Sequence, residues 1–421
     1  MKKLSAESIY YIRTATGELN SGLIFTSIWV LYYTVMQLSL IEVSVLYIVL
    51  TVSNFLLEIP TGIVADFYSR RASVIIGGMF IGLAFMTVGI FPFFTVALLA
   101  GFIEAIGDTC ISGALQAWIT DEVGEANVGN VFLRGRQVAT PAGWVGVILS
   151  IGLAAWMNYQ APIILGGVLW LMLTIFLILY MPETNFKKNA AISRRSWRDQ
   201  MKTSWATLAD GIRLVRGTTT LQALFWVSLL GSAFADGFYK FSRAHVLQSF
   251  TLPTITLPLL GALKDNLWFG VLEMLQGLFC LVGAEIVRRK IKLSHREVAA
   301  RTLLSFSALT TVAVVMFALT PHFGLAMATW VIVGGLQNIS TPITEAWMNQ
   351  NIPSKIRATL ISMSSQAGMV GTLGISTGLG AIGDRFGVRR ALGLSSLILL
   401  PMMVIYARKK GDTTINYAES I

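Results

Sequence analysis

The sequence predicts an all-α membrane protein of twelve transmembrane helices in two pseudo-symmetric six-helix halves. Three observations predict it: an apolar composition with little charge, twelve apolar runs long enough to cross a bilayer, and a one-sided distribution of Lys and Arg. The 421 residues are 54% hydrophobic and 13% charged, whereas soluble domains carry about 25% charge. Mean hydropathy is +0.67. A soluble chain this apolar would lack a polar surface, and a bilayer removes the difficulty.

About 20 apolar residues cross a bilayer as a helix. Such runs lie near 10–36, 41–66, 72–91, 93–119, 133–157 and 160–181, then near 219–248, 266–287, 299–319, 323–347, 357–383 and 388–407. With the N-terminus inside, 26 of the 32 Lys and Arg fall on the cytoplasmic side. The other six are Lys240, Lys264, Arg243, Arg385, Arg389 and Arg390. That asymmetry predicts a multi-pass protein of the cell (inner or plasma) membrane with both termini cytoplasmic.

The formal charge of +10 sits in short clusters between apolar runs, so no nucleic-acid partner is expected. Cys110 and Cys280 lie in apolar runs without a CxxC partner, and His245, His295 and His322 are scattered. No metal site and no cofactor is expected. The chain has no catalytic His cluster, phosphate loop or nucleophile motif, so no enzyme is expected.

Three regions follow: a six-helix half over 1–181, a cytoplasmic connector over 182–218 and a six-helix half over 219–421. Within the connector Trp197, Met201, Trp205, Leu208, Ile212 and Val215 fall on one helical face, with Arg198, Lys202, Arg213 and Arg216 off it. This predicts an amphipathic helix on the inner membrane surface or a packed linker helix. Gln116-Ala117-Trp118 and Glu345-Ala346-Trp347 are 229 residues apart, as are Gln137 and Gln366. The shared offset points to a duplication, with a site near the midplane between parallel halves.

Span two ends in Leu57-Glu58-Ile59-Pro60-Thr61-Gly62-Ile63-Val64-Ala65-Asp66, followed by Phe67-Tyr68-Ser69-Arg70-Arg71. This resembles the motif after helix two in the major facilitator superfamily. Gly62, Asp66, Arg70 and Arg71 match it, while Phe67 and Ser69 stand where the family has a base and a Gly. The resemblance implies the twelve-helix major facilitator fold, a secondary transporter, and a gating role for these residues with Asp121, the acid that ends span four. It further implies that the motif base pairs with that acid. Gly380–Arg390 is a second copy of the pattern. Gly135, Pro141, Gly143 and Gly146 resemble the Gly/Pro-rich motif of antiporters in helix five. Span four lacks the Arg that proton-coupled drug exporters usually carry there.

An ionisable side chain at membrane depth is costly and marks function by default. Glu104 and Asp108 lie four residues apart on one face of span four. Two carboxylates this close in a low dielectric favour keeping a proton between them. They are the preferred proton-coupling candidates, with Glu58 and Glu273 behind them. Asp236, Lys240 and Arg243 run along one side of span seven. Either they form an intrahelical pair near the outer surface with bases snorkelling outward, or they meet a substrate anion or an outer gate. Further candidates for a substrate cavity are Glu18, Asn20, Gln137, Gln337, Asn338 and Gln366. Trp29, Tyr32, Tyr33, Tyr239 and Trp268 either line that cavity or pack.

The expected function is secondary active transport: proton-coupled export of a small lipophilic or drug-like molecule, the alternative being uptake or exchange of an anionic metabolite. The expected partners are a small-molecule substrate, protons and the lipid bilayer, with the chain a monomer.

Overall fold

The structure, a computed structural model, describes residues 4–185, 219–257, 261–263, 265–290, 296–351, 364 and 366–409. The connector helix expected over 197–215 lies outside them.

The first six helices are α1 (Ala6–Val30), α2 (Leu40–Phe67), α3 (Arg70–Ile90), α4 (Phe94–Val123), α5 (Glu125–Trp156) and α6 (Gln160–Tyr180). After the connector come α7 (Thr219–Ser249), α8 (Asp265–Lys290), α9 (Arg296–Leu319) and α10 (Phe323–Asn351). The chain ends in α11 (Thr377–Phe386), α12 (Val388–Leu397) and α13 (Leu399–Lys409). Ten helices among the described residues are long and apolar enough to cross a membrane. The expected first span is also helical, over Ala6–Val30, and carries Arg13, Glu18 and Asn20.

Polar caps set several helix starts. Ser39 accepts from the Glu42 amide while the Glu42 carboxylate accepts from the Ser39 amide, a reciprocal capping box. Ser5 and Ser69 cap α1 and α3 one-sidedly, each hydroxyl oxygen accepting from the amide three residues on.

Three local features depart from the sequence expectation. Span one starts at Ala6 rather than residue 10 and ends in a π-helical turn over Leu31–Val35. The twelfth span divides into α12 and α13 at Ile398. Span seven is followed by a two-stranded hairpin, β1 (Ile255–Leu257) antiparallel to β2 (Gly261–Leu263). The local sequence accounts for the hairpin, since Pro253 and Pro258 bar a helix and the alternating Thr, Ile and Leu between them suit a strand.

The described chain forms two compact units, Met1–Ala206 with Leu252–Gly270, and Thr207–Thr251 with Val271–Ile421. In the first, Trp29 is fully buried and stacks on Tyr47 with ring centroids 5.5 Å apart. In each unit two helices approach backbone to backbone at a glycine. A Cβ on Gly146 of α5 would lie 2.0 Å from the Leu19 carbonyl oxygen of α1. A Cβ on Gly371, midway along the eleventh span, would lie 2.0 Å from the Leu229 carbonyl oxygen of α7. Small residues are what membrane helices use to pack this closely. The same device joins the first span of each half to its fifth.

Candidate functional site

In the first unit the charged groups of α1, α2 and α4 converge. Glu104 and Asp108 stand one turn apart on α4 and interact with each other. Asp108 also feels Arg13 of α1 and Glu58 of α2, and Glu104 acts on Tyr32. Glu58 accepts a hydrogen bond from the Ser112 hydroxyl at 3.1 Å, one turn beyond Asp108. Arg13 lies with its guanidinium carbon 5.4 Å from the Trp170 ring centroid. On the same helix Asn20 is fully buried, yet neither of its amide atoms has a hydrogen-bond partner among the described residues. Asn54 of α2 likewise has an unpartnered carbonyl oxygen. Buried polar atoms normally find partners, and these atoms have none among the described residues. Glu18 faces Arg136 at 3.4 Å, with both side chains well exposed, a pair of small energetic weight.

The motif turn between α2 and α3 is fastened within its own unit. Arg70 donates to Asp121 and to the Ala117 carbonyl, the latter at 3.1 Å. The pairing implied by the family resemblance is therefore formed. Arg71 donates to the Ile178 carbonyl at 2.6 Å. Glu183, which the sequence did not single out, accepts from the Ser69 hydroxyl at 2.6 Å and from the Arg71 amide at 3.0 Å. Ser69 replaces the family Gly and gives this carboxylate a donor. Gly62 faces open space.

The second unit holds two ion pairs less than one helical turn apart on α7. Lys240 donates to Asp236 at 2.5 Å, and Ser376 of the eleventh span donates to the same carboxylate oxygen at 2.5 Å. Arg243 donates to Glu273 of α8 at 2.8 Å and lies 3.8 Å over the Tyr239 ring. Lys240 and Arg243 are 1% and 2% exposed. The snorkelling arrangement is therefore corrected: both bases turn into the protein, where a carboxylate and, for Arg243, aromatic faces compensate them.

The remaining candidates are dispersed. Gln137 and Asn338 are exposed, and Gln337 and Gln366 are half-buried. A cavity of about 620 Å³ opens within the second unit against Gln337 and Tyr406. Sequence reasoning grouped Arg13 with the cytoplasmic bases, because one base near a terminus reads as topology. Its position seven residues into α1 was the available signal.

A sequence profile of the Major Facilitator Superfamily matches residues 14–378. The chain is 24% identical over 404 residues to the uncharacterized MFS-type transporter YxaM of Bacillus subtilis (strain 168), covering 95% of this chain and 94% of that protein. The fold is similar to the crystal structure of the nucleoside transporter NupG, with TM-score 0.74 and 12% identity over 97% of this chain and 100% of the other. It is equally similar to an inward-facing, unoccupied bacterial homologue of the lysosomal transporter Spinster, with TM-score 0.74 and 12% identity over 96% and 97% of the two chains. The sequence match spans most of the chain and the fold agrees with it: this is a multi-pass membrane transporter that belongs to the Major Facilitator Superfamily.

Proposed function

We propose that the protein exports a small lipophilic molecule in exchange for protons, with Asp108 and Glu104 as the proton-carrying groups. The observation that supports this is the placement of Asp108. It is a membrane-depth carboxylate with a second carboxylate one turn away, and the Arg13 guanidinium acts on it. A proton and Arg13 then compete for one carboxylate. Proton binding to Asp108 removes the attraction that Arg13 feels across the site, and proton loss restores it. Such a two-state element is what links a proton to a conformational change. Glu58 and Ser112 form the neighbouring polar group along α2 and α4.

The anionic-substrate reading has less support. Lys240 and Arg243, its contacts, each already hold a carboxylate and are buried.

The test is efflux from an exporter-deficient bacterium loaded in turn with rhodamine 6G, a lipophilic cation, and Nile red, an uncharged dye. Faster loss of either dye than in the empty-vector strain, abolished by a protonophore and by Asp108→Asn at equal membrane levels, is the expected result. Wild-type efflux by Asp108→Asn would remove the assignment.

A further inference from the structure

The cavity of about 620 Å³ lies wholly within the second unit, against α7, α9, α10, α13 and Ser364. Its volume is that of a drug-sized site. Its polar lining includes the hydroxyls of Ser228, Ser232, Ser307, Thr310, Ser340 and Thr344. Its apolar lining includes Val227, Phe234, Leu303, Leu399 and Met402. Among the described residues that line it there is no Asp, Glu, Lys, Arg or His. Glu104 and Asp108, the proposed proton-carrying groups, belong to the first unit.

That composition selects a ligand. A charged molecule here would lose its hydration with no opposite charge to replace it, which is prohibitive in a membrane-embedded site. A fully apolar one would leave the hydroxyls of Ser232, Ser307, Thr310 and Ser340 without partners among the described residues. An uncharged molecule, apolar over most of its surface with one or a few hydroxyl, amide or carbonyl groups, meets both demands. The cavity also lies at membrane depth. Val227 and Phe234 are eight and fifteen residues beyond Thr219, the start of α7, or about 12 and 22 Å along the helix.

We propose that this cavity is a binding site for an uncharged amphiphile, separate from the carboxylates of the first unit. As the substrate site of the exporter it rests on the preceding reading. As a binding site it does not, and the experiment treats the two apart.

Gly231 provides the probe. It lines the cavity, and a Cβ placed on it would meet only the flexible end of Met402, at 3.5 Å. Gly231→Leu therefore projects side-chain volume into the void and replaces a poor helix former with a good one. The full-length protein, in nanodiscs of phosphatidylethanolamine and phosphatidylglycerol, is irradiated with an uncharged diazirine-bearing benzyl alcohol, and the adducts are mapped by mass spectrometry. Adducts should concentrate at 227–235, 303–310 and 337–344. They should fall about tenfold in Gly231→Leu, since overfilling a site excludes its ligand, and persist in Asp108→Asn. Ser307→Met, which fills the void from α9, serves as the second plug if Gly231→Leu does not fold. Adducts spread over outward-facing residues such as Leu179 and Leu319, unchanged by either plug, would overturn the site. Loss of the adducts in Asp108→Asn would overturn its separation from the carboxylates. Failure of proton-driven efflux with labelling intact would remove only the exporter reading.

Discussion

Arg243 donates to Glu273 at 2.8 Å, with 3% of the arginine side chain and 25% of the glutamate side chain exposed. Removing one member of a buried pair strands the other, at a cost of about 3–5 kcal/mol. Glu273→Gln should cost an amount near the lower end of that range, because a quarter of Glu273 remains exposed. The double variant Arg243→Met, Glu273→Met should recover most of the loss. Thermal unfolding of the purified variants in detergent measures both, and a double variant no more stable than Glu273→Gln would show that the pair adds net stability.

The turn after α2 gives a test that separates mechanics from stability. Arg70 and Asp121 are 21% and 29% exposed in their side chains, so their pair should contribute no more than about 1 kcal/mol. If the pair works only as a staple, Asp121→Asn lowers the melting temperature slightly and leaves transport intact. If it gates, transport falls at least severalfold at an unchanged melting temperature, and this is the expected outcome. Initial rates in proteoliposomes, compared with melting curves on the same preparations, distinguish the two.

Helix packing makes a sharper prediction. Gly146→Ala would set a methyl group 2.0 Å from the Leu19 carbonyl oxygen, a clash that only a shift of α1 against α5 can relieve. It should abolish folded protein, and Gly371→Ala should do the same in the second half through Leu229. Gly113 of α4 has nothing within 4 Å of its added Cβ. Gly113→Ala should be neutral or stabilising by up to about 1 kcal/mol, from helix propensity. Size-exclusion profiles of the three variants fused to a fluorescent reporter are sufficient.

These contrasts mark where the sequence was legible. Helix positions follow from apolar runs, because the bilayer imposes a length on each. The pairing of Arg70 with Asp121 was reachable because a recognisable motif names both partners. Asp236 and Lys240 announce themselves by four-residue spacing, but Ser376, which shares the Asp236 carboxylate, lies 140 residues away, and no local pattern connects them. Glu183 was overlooked for a related reason. It follows the sixth span, where a carboxylate reads as an ordinary loop residue, and only the fold brings it to Ser69. The hairpin escaped because its strands are three residues long, too short for alternation to outweigh the apolar runs beside it.

The hairpin segment supplies the last prediction. Tyr159, between α5 and α6, and Asp265, the first residue of α8, both belong to the first unit. Burial, with the charge of Asp265 and the hydrogen bond to it, pushes the Tyr159 phenol from its ordinary 10.0 up to about 12. The folded protein then holds this proton more tightly than the unfolded chain does. The resulting stability is fully present below pH 10 and is lost as the pH rises from 10 through 12. Tyr159→Phe removes the titration, so the gap between wild type and variant should narrow over that window. Asp265→Asn removes the charge that Tyr159 senses and should shift the window downward. Melting temperatures taken from pH 8 to pH 12 on wild type and both variants measure this. A gap between wild type and Tyr159→Phe that stayed constant across the range would mean that the phenol is not held by the fold.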